Sequence, residues 1–210
     1  MLRINPILLS IALLLLSVPV LAQQPDAKEV LEQAARNFKE AGGIKAAFTV
    51  RTSEGASTGT ICLKGDKFLL EAEGTTTWFD GHTQWSYLAS SEEVNVSEPT
   101  PEELQSINPY VFLSLDERGY KLKLGKMDNA QDQSLYKLVF TATDRKQDLQ
   151  CVILYVAKDS FRPVRVSMAQ RGGETVVIII NSYRTGQVYP DSFFVFDKKA
   201  YPTAEIIDLR

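Results

Sequence analysis

The sequence predicts a mainly β fold (α+β). We expect an incomplete, strongly curved antiparallel β-barrel of about eleven strands, with a helical lid over an apolar cavity. Apolar and polar residues alternate with period two in many short segments, and turn residues recur about every 8–12 residues. The helical period appears in only two places. A sheet of this size curls, so its concave side encloses an interior that only the helices can cover.

The first 22 residues have the pattern of a secretion signal. Arg3 precedes an almost unbroken apolar run from Ile7 to Val20, and Val20-Leu21-Ala22 supplies small residues for cleavage after Ala22. The run is short for a membrane span, which needs about 20 apolar residues, although an uncleaved anchor remains the alternative. Residues 23–210 are then predicted to form one exported domain, and the lack of a cysteine directly after the cleavage point disfavours a lipid anchor.

The first clear helix is predicted from Asp26 to Ala41. Its apolar residues recur at three- and four-residue spacing and form one stripe: Val30, Leu31, Ala34, Ala35 and Phe38. Asp26 and Glu29 have the spacing of a capping box, and Gly42-Gly43 ends the helix. Because the stripe includes a phenylalanine, this helix is expected to lie on an apolar surface.

Strand patterns follow in chain order. The predicted strands are Ile44–Thr52, Thr58–Lys64, Lys67–Glu73, two strands that flank a turn at Asp80-Gly81, a further strand that ends near Val96, Tyr120–Lys126, Leu135–Ala142, Leu149–Ala157, Pro163–Gln170, Glu174–Tyr183 and Phe193–Phe196. Tyr201 to Ile207 closes the chain.

The hairpin around Asp80-Gly81 is the most aromatic part of the chain. It holds both tryptophans, Trp78 and Trp85, together with Phe79 and Tyr87. So large an aromatic surface needs a cover, which is either the protein core, a partner or an apolar ligand.

A second helical segment interrupts the strands between Glu98 and Leu115. Thr100 is a candidate N-cap, with Pro101 at the first helical position and Glu102-Glu103 in the first turn. Pro109 breaks the pattern, and a second, very apolar turn follows it. A helix this apolar is expected to lie against the sheet.

The charge balance disfavours two classes of partner. The chain has 23 Lys and Arg and 26 Asp and Glu, a formal net charge of −3 that becomes −4 once Arg3 is cleaved away. This balance disfavours nucleic acid and disfavours electrostatic docking on an anionic bilayer. Cys62 and Cys151 are permitted to form a disulfide in an oxidising compartment, but either thiol also packs well as a small hydrophobe, so their redox state stays open.

The residues do not form an enzyme site. The chain has one histidine, His82, and no serine or cysteine in a nucleophile-elbow context. Two cysteines and one histidine do not supply a usual zinc site, and no glycine-rich phosphate loop is present. The sequence therefore predicts no catalytic residues, no metal and no cofactor.

Several segments resemble the outer-membrane lipoprotein carrier (LolA) family, and the resemblance runs from Ile44 to about Asp208. IKAAFTVRT resembles the family's first strand, and GTICLKGDKFLLEAE resembles its "Gly-x-Leu-x-x-Lys-Arg-Pro" hairpin. WFDGHTQWSYLASSEEVNV is similar to the "Asp-Gly-Lys-x-x-Trp-x-Tyr" hairpin and is the most specific segment. INPYVFLSL resembles the segment around the mid-chain helix, and FFVFDKKAYPTAEIID resembles the family's C-terminal end.

The resemblance implies a function and partners. It implies a periplasmic, monomeric carrier that shields the acyl chains of lipoproteins. The carrier would receive them from an inner-membrane lipoprotein-releasing complex and pass them to an outer-membrane lipoprotein receptor. Two alternatives stay open: a relative that binds another lipid or glycolipid, and a lipoprotein-sensing interaction module of the cell envelope.

The resemblance also directs attention to particular residues. The apolar strand residues expected to line the cavity are Phe48, Val50, Leu70, Trp78, Trp85, Tyr87, Tyr136, Leu138, Phe140, Ile153, Tyr155, Val166, Met168, Ile178 and Ile180. The residues expected in the lid are Val30, Leu31, Phe38, Leu104, Phe112 and Leu113. Alternation defines the two faces of each strand but not which face is concave, and ordinary core packing is the other reading for each residue.

Lys64 is the candidate for a lid latch. The family's arginine, which tethers the lid, falls on Lys64, where the family's Lys-Arg-Pro is Leu63-Lys64-Gly65. A lysine next to a turn can donate to lid carbonyls but lacks the planar donor fork of arginine. A solvated turn lysine is the alternative.

Overall fold

The computed structural model describes residues 25–100, 103–104, 112–126 and 134–210. In these residues one α-helix and twelve strands are present, and the strands form a single open, curled sheet. The helix α1 is Ala27–Glu40, and the strands are β1 Gly43–Arg51, β2 Ala56–Lys64, β3 Lys67–Ala72, β4 Thr75–Phe79, β5 Gln84–Leu88, β6 Glu93–Ser97, β7 Tyr120–Gly125, β8 Leu135–Ala142, β9 Leu149–Ala157, β10 Pro163–Gln170, β11 Thr175–Gln187 and β12 Glu205–Asp208. The predicted incomplete β-barrel fold is confirmed.

The sheet consists of two antiparallel meanders joined through the first strand. Its order is β12-β6-β5-β4-β3-β2-β1-β11-β10-β9-β8-β7. β1 pairs with β2 on one side and with β11 on the other, so it connects residues more than a hundred positions apart. The long-range β1–β11 pairing therefore sets how the two meanders face each other.

Helix α1 begins as the sequence predicts. Asp26 accepts a hydrogen bond from the backbone N–H of Glu29 at 2.8 Å, and the Glu29 carboxylate accepts one from the Asp26 N–H at 3.1 Å. This reciprocal capping box satisfies two of the N–H groups that have no partner inside the helix. The helix then ends at Ala41, after which Gly42 takes a positive φ of 68°.

The second predicted helix lies mostly outside the described residues. Its N-cap is present: the backbone N–H of Glu103 donates to the Thr100 hydroxyl, and Glu103 accepts from the Thr100 N–H. Residues 103–104 are helical, and a short 3-10 helix occupies Leu115–Arg118. The predicted signal sequence, residues 1–22, also lies outside the described residues.

Two details of the C-terminal end differ from the predictions. Phe193–Phe196, predicted as a strand, overlaps instead with a 3-10 helix at Asp191–Phe194. Within the final segment, β12 pairs with β6 in parallel, whereas the sequence predicts an all-antiparallel sheet. β6 and β12 are not consecutive strands, and the chain between β11 and β12 crosses one face of the sheet to bring β12 to the far edge beside β6.

The cysteines are not bridged. Both are free thiols, Cys62 buried on β2 and Cys151 half-buried on β9. Four strand-to-strand spacings separate these strands, which is about 19 Å at 4.8 Å per strand. A disulfide needs Cα atoms within about 7 Å, so the sheet excludes this pair.

Candidate functional site: the helix-covered face of the sheet

The sheet has two faces with different covers. Residues directly opposite each other on neighbouring strands share a face, so the pairing registers assign every strand residue to a face. One face, here called the helix face, packs against α1. The other is here called the outer face. The helix-face residues form two buried clusters, one on β7–β10 and one on β1–β4.

Helix α1 lies across both clusters. Val30, Leu31 and Ala34 pack in the β7–β10 cluster and are at most 3% exposed. Phe38, one turn further on, is 4% exposed and belongs to the β1–β4 cluster. Four of the five residues of the predicted stripe are therefore buried, Ala35 is half-buried, and the helix connects the two halves of the sheet.

Polar bonds hold the C-terminal end of α1. The Asn37 side chain donates to the carbonyl oxygen of Ser160 at 3.0 Å, and the backbone N–H of Gly186 donates to the carbonyl oxygen of Ala41 at 2.9 Å. These bonds attach the helix to the β9–β10 turn and to β11. They are few compared with the apolar contacts, so most of the seating of α1 comes from burial.

The structure divides the fifteen predicted cavity residues between the two faces. Ten lie on the helix face: Phe48, Val50, Leu70, Tyr136, Leu138, Phe140, Val166, Met168, Ile178 and Ile180. Of these, Leu138 and Phe140 are 0% exposed and Val166 is 4% exposed, which places them in the core. The others are half-buried.

Six of the half-buried residues form one surface, here called the mouth strip. Its members come from β1, β3, β10 and β11, and they are Phe48, Val50, Leu70, Met168, Ile178 and Ile180. Phe48 and Val50 lie opposite Ile180 and Ile178 in the β1–β11 pairing. The strip borders both buried clusters, and all six of its side chains are half-buried.

Gly59 on β2 leaves room for the ring of Phe48 on the neighbouring strand β1. It lies opposite Phe48, and a Cβ at this position would come within 2.5 Å of Phe48 Cζ and 2.7 Å of the Glu71 carbonyl oxygen. The edge of the phenyl ring therefore occupies the space that a side chain at position 59 would need. A side chain here would displace the ring or the β3 backbone, because neither contact leaves room for a carbon atom.

Five predicted cavity residues lie on the outer face. Trp78 and Trp85 lie opposite each other on the outer face, and Tyr87 shares that face. Ile153 and Tyr155 are on the outer face of β9, since Leu154 beside them is buried in the helix-face cluster. These side chains therefore do not line an interior on the α1 side. The alternation predicts correctly which residues of one strand share a face. Pairing of β4 with β3 and of β9 with β8 places these residues on the outer face.

The aromatic hairpin is covered by the C-terminal segment, residues 188–210. Trp78 packs edge-on against Phe196 and Tyr201, with ring centroids 5.5 Å and 5.6 Å apart. Tyr201 also contacts Tyr87 at 4.6 Å. Val94, Val96 and Ala204 complete this outer-face cluster. The sequence left three possible covers for this hairpin: the protein core, a partner or an apolar ligand. In the structure the cover is the protein's own C-terminal segment.

Lys64 holds the C-terminal segment and not α1. Its ammonium group donates to the Tyr189 carbonyl oxygen at 2.8 Å and to the Asp191 carboxylate at 2.9 Å. Lys67 contacts the other Asp191 oxygen at 3.0 Å. Because both lysines project from the outer face, the predicted contact between Lys64 and lid carbonyls is wrong for the described part of the lid. The lysine occupies the position expected for the arginine latch but faces the other way.

We expect this attachment to loosen in acid. Hydrogen bonds from Lys64 and then Lys67 lower the pKa of Asp191 below its ordinary 3.8. A carboxyl with a depressed pKa stabilises the folded state above its unfolded pKa, and the stabilisation is lost as pH falls through the folded value. The protection factors of residues 188–200, from hydrogen exchange measured by mass spectrometry and corrected for the intrinsic pH dependence of amide exchange, should therefore fall below pH ~4. The pair is exposed, so the change should be a few fold at most.

Asp191→Asn is the matching variant. It should raise exchange in this segment already at neutral pH and flatten the acid response. Asp159→Asn, in an exposed turn of another hairpin, is the control and should leave the segment unchanged. Equal acid responses in the native chain and in Asp191→Asn would contradict the role of this ion pair.

An open groove runs along the C-terminal end of α1. It has a volume of about 410 Å³, and its walls include Phe38, Asn37, Phe161 and Tyr183. Burial raises the pKa of Tyr183 to about 12, with the Arg162 charge acting in the opposite direction. Tyr183 thus stays neutral at physiological pH and presents an aromatic ring beside the helix.

Sequence reasoning missed Tyr183 because of a β-bulge. Ile178 and Ile180 lie opposite Val50 and Phe48, but Ser182 lies opposite Ala47, so Asn181 is the extra residue. The bulge shifts the alternation by one, which brings Tyr183 to the helix face opposite Ala46. No signal in the sequence marks the bulge. The predicted cavity residues also omit Val152, Leu154 and Val156. These three alternate with Ile153 and Tyr155 on β9 and lie on the helix face.

The lid residues predicted from the sequence meet near α1. Val30, Leu31 and Phe38 are on the helix, and Phe112 packs in the β7–β10 cluster. Leu104 packs against the β1–β4 cluster, and Leu113 contacts both clusters. The structure thus brings all six residues onto the helix face, while their part in ligand binding stays a prediction.

The described ranges lack two other kinds of feature. No group of three or more His, Cys, Asp or Glu side chains is placed to hold a metal ion in these ranges. Of the helices described, none has the length and apolar character needed to cross a membrane.

The comparisons with known proteins identify the family. Residues 18–174 match the family described as outer membrane lipoprotein carrier protein LolA. The match spans well over half of the chain, and the chain belongs to this family. No curated protein matches it.

Three solved structures are similar to this chain at low sequence identity. An uncharacterized conserved protein from Thermus thermophilus is 16% identical, has a TM-score of 0.61, and the alignment covers 87% of this chain and 98% of that one. The LolA superfamily protein NE2245 from Nitrosomonas europaea is 16% identical with a TM-score of 0.45, over 82% and 99% of the two chains. A putative outer membrane lipoprotein-sorting protein domain from Vibrio parahaemolyticus is 15% identical with a TM-score of 0.49, over 83% and 97%.

Proposed function

We propose that this protein is a periplasmic carrier that shields the acyl chains of lipoproteins and delivers them from the inner to the outer membrane. The observation that carries the proposal is the mouth strip. It places six apolar side chains, only half-buried, next to a helix whose own apolar stripe covers the rest of the same face. Membership of the lipoprotein carrier family supports the same ligand class.

Acyl chains need such a carrier for a simple energetic reason. Each methylene moved out of water contributes about 0.8 kcal/mol. Three acyl chains of roughly fifteen methylenes each would then expose on the order of 36 kcal/mol of apolar surface. A lipoprotein with exposed chains does not cross an aqueous space, so a protein must cover them during transfer.

The helix face fits this task through exchange of contacts. In the described conformation α1 covers the deeper clusters, with Val30 at 0% exposure and Leu31 at 3%. An acyl chain that enters at the mouth strip replaces helix–sheet contacts with chain–sheet contacts of similar chemistry. Because the cost of displacing α1 offsets part of the binding free energy, the carrier holds its cargo and still releases it to a stronger acceptor.

The partners follow from the proposed route. The carrier would take acylated lipoproteins from an inner-membrane lipoprotein-releasing complex and pass them to an outer-membrane lipoprotein receptor. It would act as a monomer and without a cofactor, because shielding requires only apolar surface. Secretion with cleavage after Ala22 would bring it to the periplasm.

Binding to a matched pair of lipoproteins tests the proposal. The purified protein is mixed with a detergent-solubilised triacylated lipoprotein, or with the same protein lacking its acylated cysteine, and detergent is removed before gel filtration. We expect co-elution with the acylated form alone. Equal binding of both forms, or of neither, would overturn the carrier function. Exclusive binding of free phospholipid, detected by native mass spectrometry, would overturn lipoproteins as the cargo.

Two neighbouring isoleucines supply a test variant and its matched control. Ile178→Asp puts a charge into the mouth strip and should lower the amount of bound lipoprotein at least tenfold, since a buried charge next to an acyl chain is strongly unfavourable. Ile179→Asp places the same change one residue away on the outer face and should leave loading unchanged. Similar losses in both variants would contradict the assignment of the mouth strip.

A further inference from the structure

The outer face of six adjacent strands is basic. Strands β1 and β7–β11 carry seven lysines and arginines and no aspartate or glutamate. The pairing registers place all seven on the outer face: Lys45, Arg51, Lys121, Lys123, Lys137, Arg165 and Arg184. We call this surface the basic face. It extends over about 24 Å at 4.8 Å per strand spacing.

Apolar side chains lie between these cations. Val139, Ile153 and Val177 are half-buried on the same face, and so are Tyr155 and Ile179. The Arg165 guanidinium lies over the Tyr155 ring, with Cζ 3.8 Å from the centroid. In the described part of the chain, the buried cluster of the outer face lies on the β4–β6 side, under the C-terminal segment, and none forms on β7–β11.

The negative net charge of the chain gives no indication of this positively charged surface. Removing seven positive charges from the formal net charge of −3 leaves −10 for the rest of the sequence. Charges beyond the Debye length, about 8–10 Å at physiological ionic strength, are largely screened. A ligand at the basic face therefore meets the local cations, and the negative net charge that disfavoured anionic partners does not describe this side.

We propose that the basic face docks on the anionic phospholipid headgroups of a bilayer. The charge pattern favours a membrane over an acidic protein. An acidic protein would need a negative patch that matches the positions of these cations, whereas a bilayer surface presents negative charge over its whole area. A bilayer therefore requires only positive charge from the protein, and half-exposed aliphatic and tyrosine side chains suit its interfacial region. Docking by this face leaves the mouth strip, on the other side of the sheet, free for cargo.

Vesicle binding tests the docking surface. The full chain is sedimented with vesicles of phosphatidylglycerol and phosphatidylcholine in equal parts, and with vesicles of phosphatidylcholine alone. We expect binding to the anionic vesicles only, and loss of that binding in 1 M salt, where the Debye length is about 3 Å. Equal binding to both vesicles, or no binding to either, would overturn the proposal.

A charge-matched pair of triple variants locates the surface. In Lys121→Gln/Lys123→Gln/Lys137→Gln the partition coefficient should fall at least tenfold, since each lysine near an anionic surface contributes about a fivefold factor. Lys28→Gln/Arg36→Gln/Lys39→Gln removes the same charge from exposed positions of α1 and should change it less than threefold, through net charge alone. Equal losses in the two triple variants would overturn the assignment to the basic face.

Two controls distinguish membrane docking from an acidic protein partner and from misfolding. Poly-L-glutamate serves as the acidic polypeptide: binding to it without binding to anionic vesicles would overturn the membrane proposal in favour of a protein partner. Circular dichroism of each variant checks folding. The proposal goes beyond carriage of lipoproteins and does not depend on it, because the Lys121/Lys123/Lys137 variant should still load the acylated lipoprotein in the gel-filtration assay.

Discussion

Locking helix α1 onto the sheet should abolish acyl-chain binding without unfolding the protein. The Asn37 side chain lies 3.0 Å from the Ser160 carbonyl oxygen, so these two positions suit a cross-link between the helix and the β9–β10 turn. In a chain that also carries Cys62→Ala and Cys151→Ala, Asn37→Cys and Ser160→Cys would be joined by a short thiol-specific cross-linker that contains a reducible disulfide. Cross-linking should lower the affinity for a fluorescent fatty acid more than tenfold, and reduction should restore it.

The physical reason is the packing beneath the helix. Leu154, Leu138 and Phe140 are at most 1% exposed, so the β7–β10 cluster has no space for a hydrocarbon chain until α1 moves. A cross-link that only restricts the helix should also raise the unfolding temperature, because it constrains the unfolded chain. Asn37→Cys alone is the control, since it loses the hydrogen bond and forms no bridge. Undiminished binding by the cross-linked protein would show that the mouth strip accepts acyl chains with α1 in place.

Truncating two phenylalanines should separate stability from binding. Phe140 is 0% exposed in the β7–β10 cluster, and Phe140→Ala should lower the free energy of unfolding by about 3–5 kcal/mol. At roughly 2–4 °C per kcal/mol for a chain of this size, the unfolding temperature should fall by about 10 °C. Binding of the fatty-acid probe, measured well below that temperature, should fall less than in Phe48→Ala, because Phe140 lies in the β7–β10 cluster and not in the mouth strip, where the chain enters.

Phe48→Ala should show the opposite balance. Phe48 is half-buried over Gly59, so its loss should cost about 1–2 kcal/mol of stability, less than Phe140. The affinity for the probe should fall several fold, because one wall of the mouth strip is removed. Urea unfolding and probe titration on both variants supply the two readouts. If Phe140→Ala weakens binding more than Phe48→Ala, the distinction between core and mouth strip is wrong.

Local features of the fold were predictable from the sequence. The Asp26–Glu29 capping box and the Thr100–Glu103 cap are present as expected, and the strands from β7 to β10 have almost the predicted bounds. These features depend on residues a few positions apart, whose chemistry is written directly in the chain. The resemblance of short segments to the carrier family was likewise sufficient to predict the fold class.

The choice of face was not predictable. Trp78 and Trp85 share a face in the prediction and in the structure, but the face is the outer one. What covers them is Phe196 and Tyr201, more than a hundred residues further along the chain. Lys64 illustrates the same limit, since its acceptors are Tyr189 and Asp191. The alternation of a strand carries no information about a partner so distant.

The sequence by itself determined the elements, the caps, the pairs of residues that share a face within a hairpin, and the family. Only the tertiary structure decided which face meets α1, where the C-terminal segment lies, and that the seven cations of β1 and β7–β11 share the outer face of the sheet. The physical reason is that secondary structure and hairpin register follow from neighbouring residues, whereas the β1–β11 pairing and the cover of each face are set by contacts between distant parts of the chain.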